Sequence, residues 1–368
     1  MGRQRTPTLV TGGDVIIEVS PLILLATIAI AGLGPAITAL TDAWQGAAGI
    51  RSLAAGAAHS SAGWLSWLAI AGILRPDIDP LLVLPLTALG GVAAVLAATP
   101  ARLLGRGARS TLAYAALWSA LVFVPVAVAL FSAKGFLAAE LATVDLAGAL
   151  PVLVAGGCGG LAVLVLDGRR VERSRGSNPG WVLLGLVAVV WALWVLWLVG
   201  MELAIDEITP LIVANTLMTP VASVAAWLVV QRIQHAKTTP SAAVGGLLCG
   251  LAAIAPGSGN LSAVGALLTG IVAGALCSLV GYWAARRTGN FIWLVVTILL
   301  GGAGLGVGLI GAFATRTGIV FTGQPEALLS QFASVLIVTA YAGAVSLACW
   351  FVVSRVARRP AASALAGS

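Results

Sequence analysis

The stretch DLAGALPVLVAGGCGGLAVLVLDGRRV, residues 145–171, decides how the rest of the chain is read. It opens on Asp145 and closes on Asp167, Arg169 and Arg170, and nothing between 146 and 166 carries a charge. An apolar run of that length crosses a bilayer as a helix. Its middle is almost entirely small: Ala155, Gly156, Gly157, Cys158, Gly159 and Gly160. In a membrane such a face lets a second helix approach nearly backbone to backbone.

The composition agrees with that reading along the whole chain. Of 368 residues, 60% are hydrophobic and only 9% are charged, with a mean hydropathy of +1.04. A soluble domain of this size needs far more charge to cover itself, so a polytopic membrane protein is expected. The net charge of +7 is read as a consequence of membrane orientation. Cys158, Cys249, Cys277 and Cys349 all fall inside apolar runs, which predicts reduced, buried side chains and no disulfide framework or metal site. The first residues, MGRQRTPTLVTGGD, do not lead into a short apolar segment with a small-residue cleavage site, so no cleaved signal peptide is expected.

Working outward, ten uncharged stretches appear: 19–40, 53–74, 81–101, 110–133, 146–166, 179–201, 208–230, 241–285, 291–315 and 327–354. The stretch 241–285 is about twice the length of one span. Pro256, Gly257, Ser258, Gly259 and Asn260 interrupt its middle with a turn signature. Eleven transmembrane helices are therefore predicted, with the termini on opposite sides. Basic residues set the orientation. Arg3, Arg5, Arg75, Lys134 and Arg316 fall on one side, and the remainder of the 20 lysines and arginines fall on the other. The richer side, with Arg102, Arg106, Arg109, Arg169, Arg170, Arg173 and Arg175, is expected to be cytoplasmic. The expected location is the plasma membrane, with the N-terminus outside and the C-terminus in the cytoplasm. The predicted organisation is an outer N-terminal segment (1–18), a first five-helix half (19–171), a second half (172–315), an eleventh helix (316–354) and a short tail (355–368). Residues 301–308, GGAGLGVG, repeat the small-residue pattern of 155–160 five helices later. An odd number of helices per repeat inverts the second copy, the plan of many transporters.

Several segments resemble the ammonium transporter (Amt/Mep/Rh) family. Asp145-Leu146-Ala147-Gly148 looks like that family's D-(F/Y)-A-G start of the fifth helix. Trp118 with Phe123, Val124 and Pro125 is similar to the fourth helix, and Asn215-Thr216 to the seventh. Gly250 to Pro256 resembles the eighth, Gly265-Ala266 with Gly270 to Gly274 the ninth, Gly306 with Gly311-Ala-Phe313 the tenth, and Leu328 to Gln331 the start of the eleventh. The resemblance implies an all-α integral membrane fold, eleven transmembrane helices in a 5+5 inverted repeat plus one, assembled as a homotrimer with one narrow pore per subunit.

That family's pore carries an outer aromatic site, a phenylalanine gate and two facing histidines. The resemblance places the two histidine positions on Leu153 and Leu299, a pore waist without imidazole. It places the outer vestibule on Phe131, Asp145, Trp197 and Met201, and a possible pore gate on Val83 and Thr87. Asp145 alone keeps its residue type among the chemically important positions. His59, followed by Ser60 and Ser61, and Thr297 are the candidate polar groups that remain inside apolar runs. Each has a plainer reading. Asp145 can cap the fifth helix, Phe131 and Trp197 can anchor at the membrane interface, and His59 can hydrogen-bond between helices.

A lone charge at the membrane centre is costly, and leucine can neither coordinate nor relay a proton. A waist of Leu153 and Leu299 is thus expected to favour uncharged species. The expected function is a divergent family member moving a small solute, ammonium or ammonia by default. The alternative is a non-conducting relative acting as sensor, partner subunit or scaffold. No nucleophile–base pair, cofactor loop or metal-ligand cluster stands out in the sequence, so neither an enzyme nor a cofactor is expected. The expected partners are the solute, the lipid bilayer and further copies of the chain, with no nucleic acid.

Overall fold

A computed structural model describes residues 82–168, 180–235 and 238–357. The expected first two spans and His59 lie outside these residues. Within them the chain is helical, with no named strand and one isolated bridge between Leu261 and Ala314. This follows from the environment, because in lipid a backbone N–H or C=O has no water partner and an apolar run must close its hydrogen bonds within itself.

The third predicted span is α1 (Val83–Leu103). The fourth is α2 (Ala108–Trp118), a π-helical turn at Ser119–Phe123, and α3 (Val124–Phe131). A single turn, α4 (Phe136–Ala139), follows. The fifth begins with a π-turn at Leu150–Val154 and continues as α5 (Ala155–Asp167). The sixth and seventh are α6 (Gly180–Met201) and α7 (Thr209–His235). The double-length run divides as expected into α8 (Pro240–Ile254) and α9 (Ala263–Thr288). The tenth is α10 (Ile292–Val296), a π-turn at Thr297–Gly302, and α11 (Ala303–Phe313). A single turn, α12 (Ile319–Thr322), leads to the eleventh, α13 (Glu326–Val356). Among the described residues, seven of these helical stretches are long and apolar enough to cross a membrane, and Gly185–Met201 and Pro240–Ile254 are shorter apolar helices.

The division of 241–285 has local causes. Pro240 sits in the first turn of α8, where its missing N–H has no helical partner to lose. The Thr239 hydroxyl accepts from Ala242 N at 3.3 Å, and the Ser262 hydroxyl accepts from Gly265 N at 3.1 Å to start α9. Arg286 and Arg287 lie in the last turn of α9, which Gly289 ends at φ 67°. The turn between α8 and α9 is held from outside as well. The buried Asn215 amide donates to the carbonyls of Ser258 and Leu261, each at 2.8 Å. Pro256 O accepts from Leu146 N at 2.9 Å, which ties this turn to the start of the fifth span.

The fifth span is the hub. Over an 18-residue apolar stretch 83% of its residues are buried, against 28% for α13. Its small residues let α1 and the tenth span reach it. A methyl group added at Gly157 would stand 2.7 Å from Leu300 N, one at Gly159 2.5 Å from the Ala97 β-carbon, and one at Gly160 3.0 Å from Pro100 Cγ. Tyr114 on α2 donates to Gly159 O at 2.9 Å, and Trp118 Nε1 donates to Ser346 Oγ on α13 at 2.9 Å. At the basic end, Arg106 pairs with the buried Asp167 through two guanidinium nitrogens and lies 5.9 Å from the Trp350 ring centroid. By contrast α13 turns large apolar side chains such as Leu336 and Val356 outward, as a lipid-facing helix does.

Candidate functional site

The candidate site lies where the fifth and tenth spans meet. The fifth begins with a π-turn and the tenth is interrupted by one, and the two turns are in contact. A π-turn inserts one residue into the helical ladder and recurs at functional positions. Leu153 sits in the first turn and Leu299 in the second. Leu153 is buried, Leu299 is half-buried, and both belong to one continuous apolar cluster.

The first turn is fixed at its N-terminus by a full set of partners. Asp145 Oδ1 accepts from Ala149 N at 2.8 Å, and Oδ2 accepts from Leu150 N at 2.7 Å. Pro151 has no N–H, and Val152 N donates to Gly148 O at 3.0 Å. The donors that a helix start leaves without partners are thereby satisfied. Burial pushes the Asp145 carboxyl from its ordinary 3.8 up to about 6, against the opposing pull of the backbone N–H groups of Leu150, Ala149 and Gly148.

Gly148 makes the turn with φ 71°, a conformation that favours glycine. The Phe131 ring lies against it: a β-carbon there would stand 3.1 Å from Phe131 Cζ. The structure thus brings Phe131 to the Asp145 turn. Trp197 and Met201 stand one helical turn apart on α6, both buried in the same apolar cluster as Leu153. Trp194 joins them, with its ring centroid 4.9 Å from that of Trp197 in an edge-to-face arrangement. The indole N–H groups of Trp194 and Trp197 are buried and find no acceptor among the described residues.

Val83 and Thr87 lie on α1, and Thr297 opens the second π-turn itself. Val83 opens α1, and Thr87 is half-buried one turn further along it. The Thr297 hydroxyl donates to Trp293 O at 2.7 Å, within its own helix. Its β-carbon lies 3.6 Å from where one would stand on Gly281, so it faces α9. No group of three or more His, Cys, Asp or Glu residues that could hold a metal occurs among the described residues.

Sequence reasoning did not foresee the π-turns. Trp194 was also missed, although its place three residues from Trp197 puts both on one helix face. The role of Asn215 as the anchor of the α8–α9 turn needed the tertiary fold.

The model of the Ammonium Transporter Family matches residues 106–359. The ammonium transporter Amt1 of Archaeoglobus fulgidus is 31% identical over 242 residues, covering 63% of this chain and 60% of that protein. The chain spans about half the length of the curated relatives it matches. Among solved structures, Saccharomyces cerevisiae Mep2 superposes with a TM-score of 0.68 at 17% identity, covering 94% of this chain. A protein described as a Sensor Amt Protein superposes with a TM-score of 0.68 at 17% identity, covering 94% of this chain and 95% of that one. The Mep2 structure from Saccharomyces is itself covered over 91% of its length. These structural likenesses carry the fold, and the match over 106–359, with that fold, places this multi-pass membrane chain in the ammonium transporter family.

Proposed function

We propose that the chain is a divergent ammonium transporter-family channel that passes a small uncharged solute, ammonia by default, between its two halves. The supporting observation is the meeting of the two π-turns, which sets Leu153 and Leu299 in one apolar cluster. The segments Leu150–Val154 and Thr297–Gly302 contain no charged residue and no histidine. An ion entering such a waist gives up its hydration with nothing in return, whereas a neutral molecule has a far smaller desolvation cost. Phe131, Asp145, Trp197 and Met201 form the outer vestibule in this reading. The indole N–H groups of Trp194 and Trp197, without an acceptor among the described residues, give that mouth polar handles. Orientation with the N-terminus outside, placement in the plasma membrane and assembly as a homotrimer complete the proposal.

A second reading is favoured by one observation. Leu153 is only 1% exposed, so packing at the waist is tight enough for a sealed plug. A non-conducting sensor, partner subunit or scaffold would have this form.

The test is flux in proteoliposomes, comparing ammonium-evoked current with ammonia-driven internal pH change, beside the Leu153→His/Leu299→His double variant. Internal alkalinisation without current in the wild type is the expected result. Robust wild-type current would overturn the apolar-waist reading, and silence in every trace would leave the non-conducting one.

A further inference from the structure

A pair of thiols lies behind the second π-turn, away from the residues assigned to the pore. Cys249 on α8 and Cys277 on α9 are 0% and 2% exposed, and their sulfurs are hydrogen-bond partners. The Ser223 hydroxyl also reaches Cys249, while itself donating to Gly246 O at 2.7 Å. The Cys277 thiol donates to Thr297 O at 3.5 Å, a carbonyl of the π-turn itself. Both sulfurs press on that turn: β-carbons at Gly301 and Gly302 would stand 3.2 Å from Cys277 Sγ and 3.3 Å from Cys249 Sγ.

We propose that Cys249 and Cys277 form a two-coordinate site for a thiophilic divalent d10 cation, Hg(II), whose occupancy displaces the Thr297–Gly302 turn. The donor set selects the ion. Tetrahedral zinc needs four ligands, and no third His, Cys, Asp or Glu joins the pair among the described residues. Soft thiolates favour soft metals. Charge then separates the candidates. A monovalent ion between two thiolates leaves a buried negative charge, and α8 carries no Lys or Arg to offset it. Mercuric chloride gives a neutral product: HgCl2 and two thiols form S–Hg–S, and both protons leave with the chlorides as two HCl. A neutral complex avoids the cost of a charge in the membrane core.

The same geometry couples the site to the turn. A linear S–Hg–S unit holds its sulfurs farther apart than two thiols in hydrogen-bond contact. Gly301 and Gly302 leave no slack beside them, so the sulfurs must push on the turn that carries Leu299. The Cys277 thiol also gives up its proton and with it the hydrogen bond to Thr297 O.

The experiment uses the full chain in detergent, exposed to mercuric chloride and washed with a competing monothiol. Retained mercury and free thiols after denaturation are then counted. The wild type and a Cys158→Ala/Cys349→Ala variant are expected to retain one mercury per chain at this site and to lose two titratable thiols together. Cys249→Ala and Cys277→Ala, each in the Cys158→Ala/Cys349→Ala background, are expected to lose all retained mercury. Retention in either of those variants, or none in the variant that keeps only the pair, overturns the site. Hydrogen exchange at 297–302 reads the coupling: faster exchange with mercury bound supports it, and unchanged exchange overturns it. Neither readout depends on transport.

Discussion

The fifth and tenth spans both carry a π-turn and reach it by different means. In the fifth, the turn stands at the very start of the helix. Asp145 accepts from two backbone N–H groups, Pro151 contributes none, and the turn begins with its donors satisfied. In the tenth, the turn falls after a complete helical segment, and its Thr297 carbonyl is taken by a thiol from a neighbouring helix. A third π-turn, at Ser119–Phe123, uses another device: Pro125 cannot donate to Leu121 O, and the Tyr341 hydroxyl donates to it at 2.8 Å. An inserted residue frees backbone polar groups, and in a membrane each must find a partner within the protein. The fifth span meets this demand from its own sequence, whereas the tenth and fourth borrow from other helices. The fifth is also the more enclosed, with 83% of an 18-residue apolar stretch buried against 67% for the tenth.

Truncating the two waist leucines tests this asymmetry with the largest expected effect. Leu153 is buried on all sides, so Leu153→Ala is expected to destabilise the protein by about 2–5 kcal/mol. Leu299 is half-buried, and Leu299→Ala should cost a fraction of that. Thermal unfolding in one detergent measures both, and equal losses would break the comparison.

Next in size is the contact between the spans. Gly157→Ala sets a methyl group 2.7 Å from Leu300 N, a backbone atom that cannot rotate away. A loss of about 1–3 kcal/mol is expected from such overpacking. Gly91→Ala on α1 meets nothing within 4 Å and is expected to be neutral or stabilising by up to about 1 kcal/mol. Side-by-side unfolding of the two variants separates close approach from helix propensity.

The smallest effect concerns Asp145, which precedes the membrane span. Its folded pKa is raised, from 3.8 to about 6. The sign for a raised acid is fixed: its contribution is fully present below 3.8 and is lost as pH rises through about 6. Asp145→Asn cannot ionise and gives up about one hydrogen bond, ~1 kcal/mol. The wild type's margin over the variant should therefore be largest at low pH and fall, past zero, as pH rises through that window. A margin that grows instead would mean the capped carboxylate is the favoured form.

Much of the fold was legible because a membrane restricts the choices. The uncharged stretches from 81 to 354 correspond to helices, since an apolar backbone in lipid has few other ways to satisfy its polar groups. The break at Pro256–Asn260 was readable from turn residues, and the close approach at Gly157 from residue size. The π-turns were not readable. A π-turn has no composition of its own, and the partners that stabilise it, such as Cys277 for Thr297 and Tyr341 for Leu121, are distant in sequence. The Asp145 cap was one of two readings offered by the sequence, and the hydrogen bonds to Ala149 and Leu150 show that the cap is made.

By itself, then, the sequence determined that this chain is a helical membrane protein, where its spans from 81 onward lie, and that two glycine-rich helices stand five helices apart. These follow from composition and periodicity, which depend on each residue's own chemistry. The tertiary structure alone decided that two π-turns carry Leu153 and Leu299 and touch, that Asn215 holds the α8–α9 turn, and that Cys249 and Cys277 meet behind the second π-turn. Those are pairings between distant segments, and no single residue's preference specifies its partner.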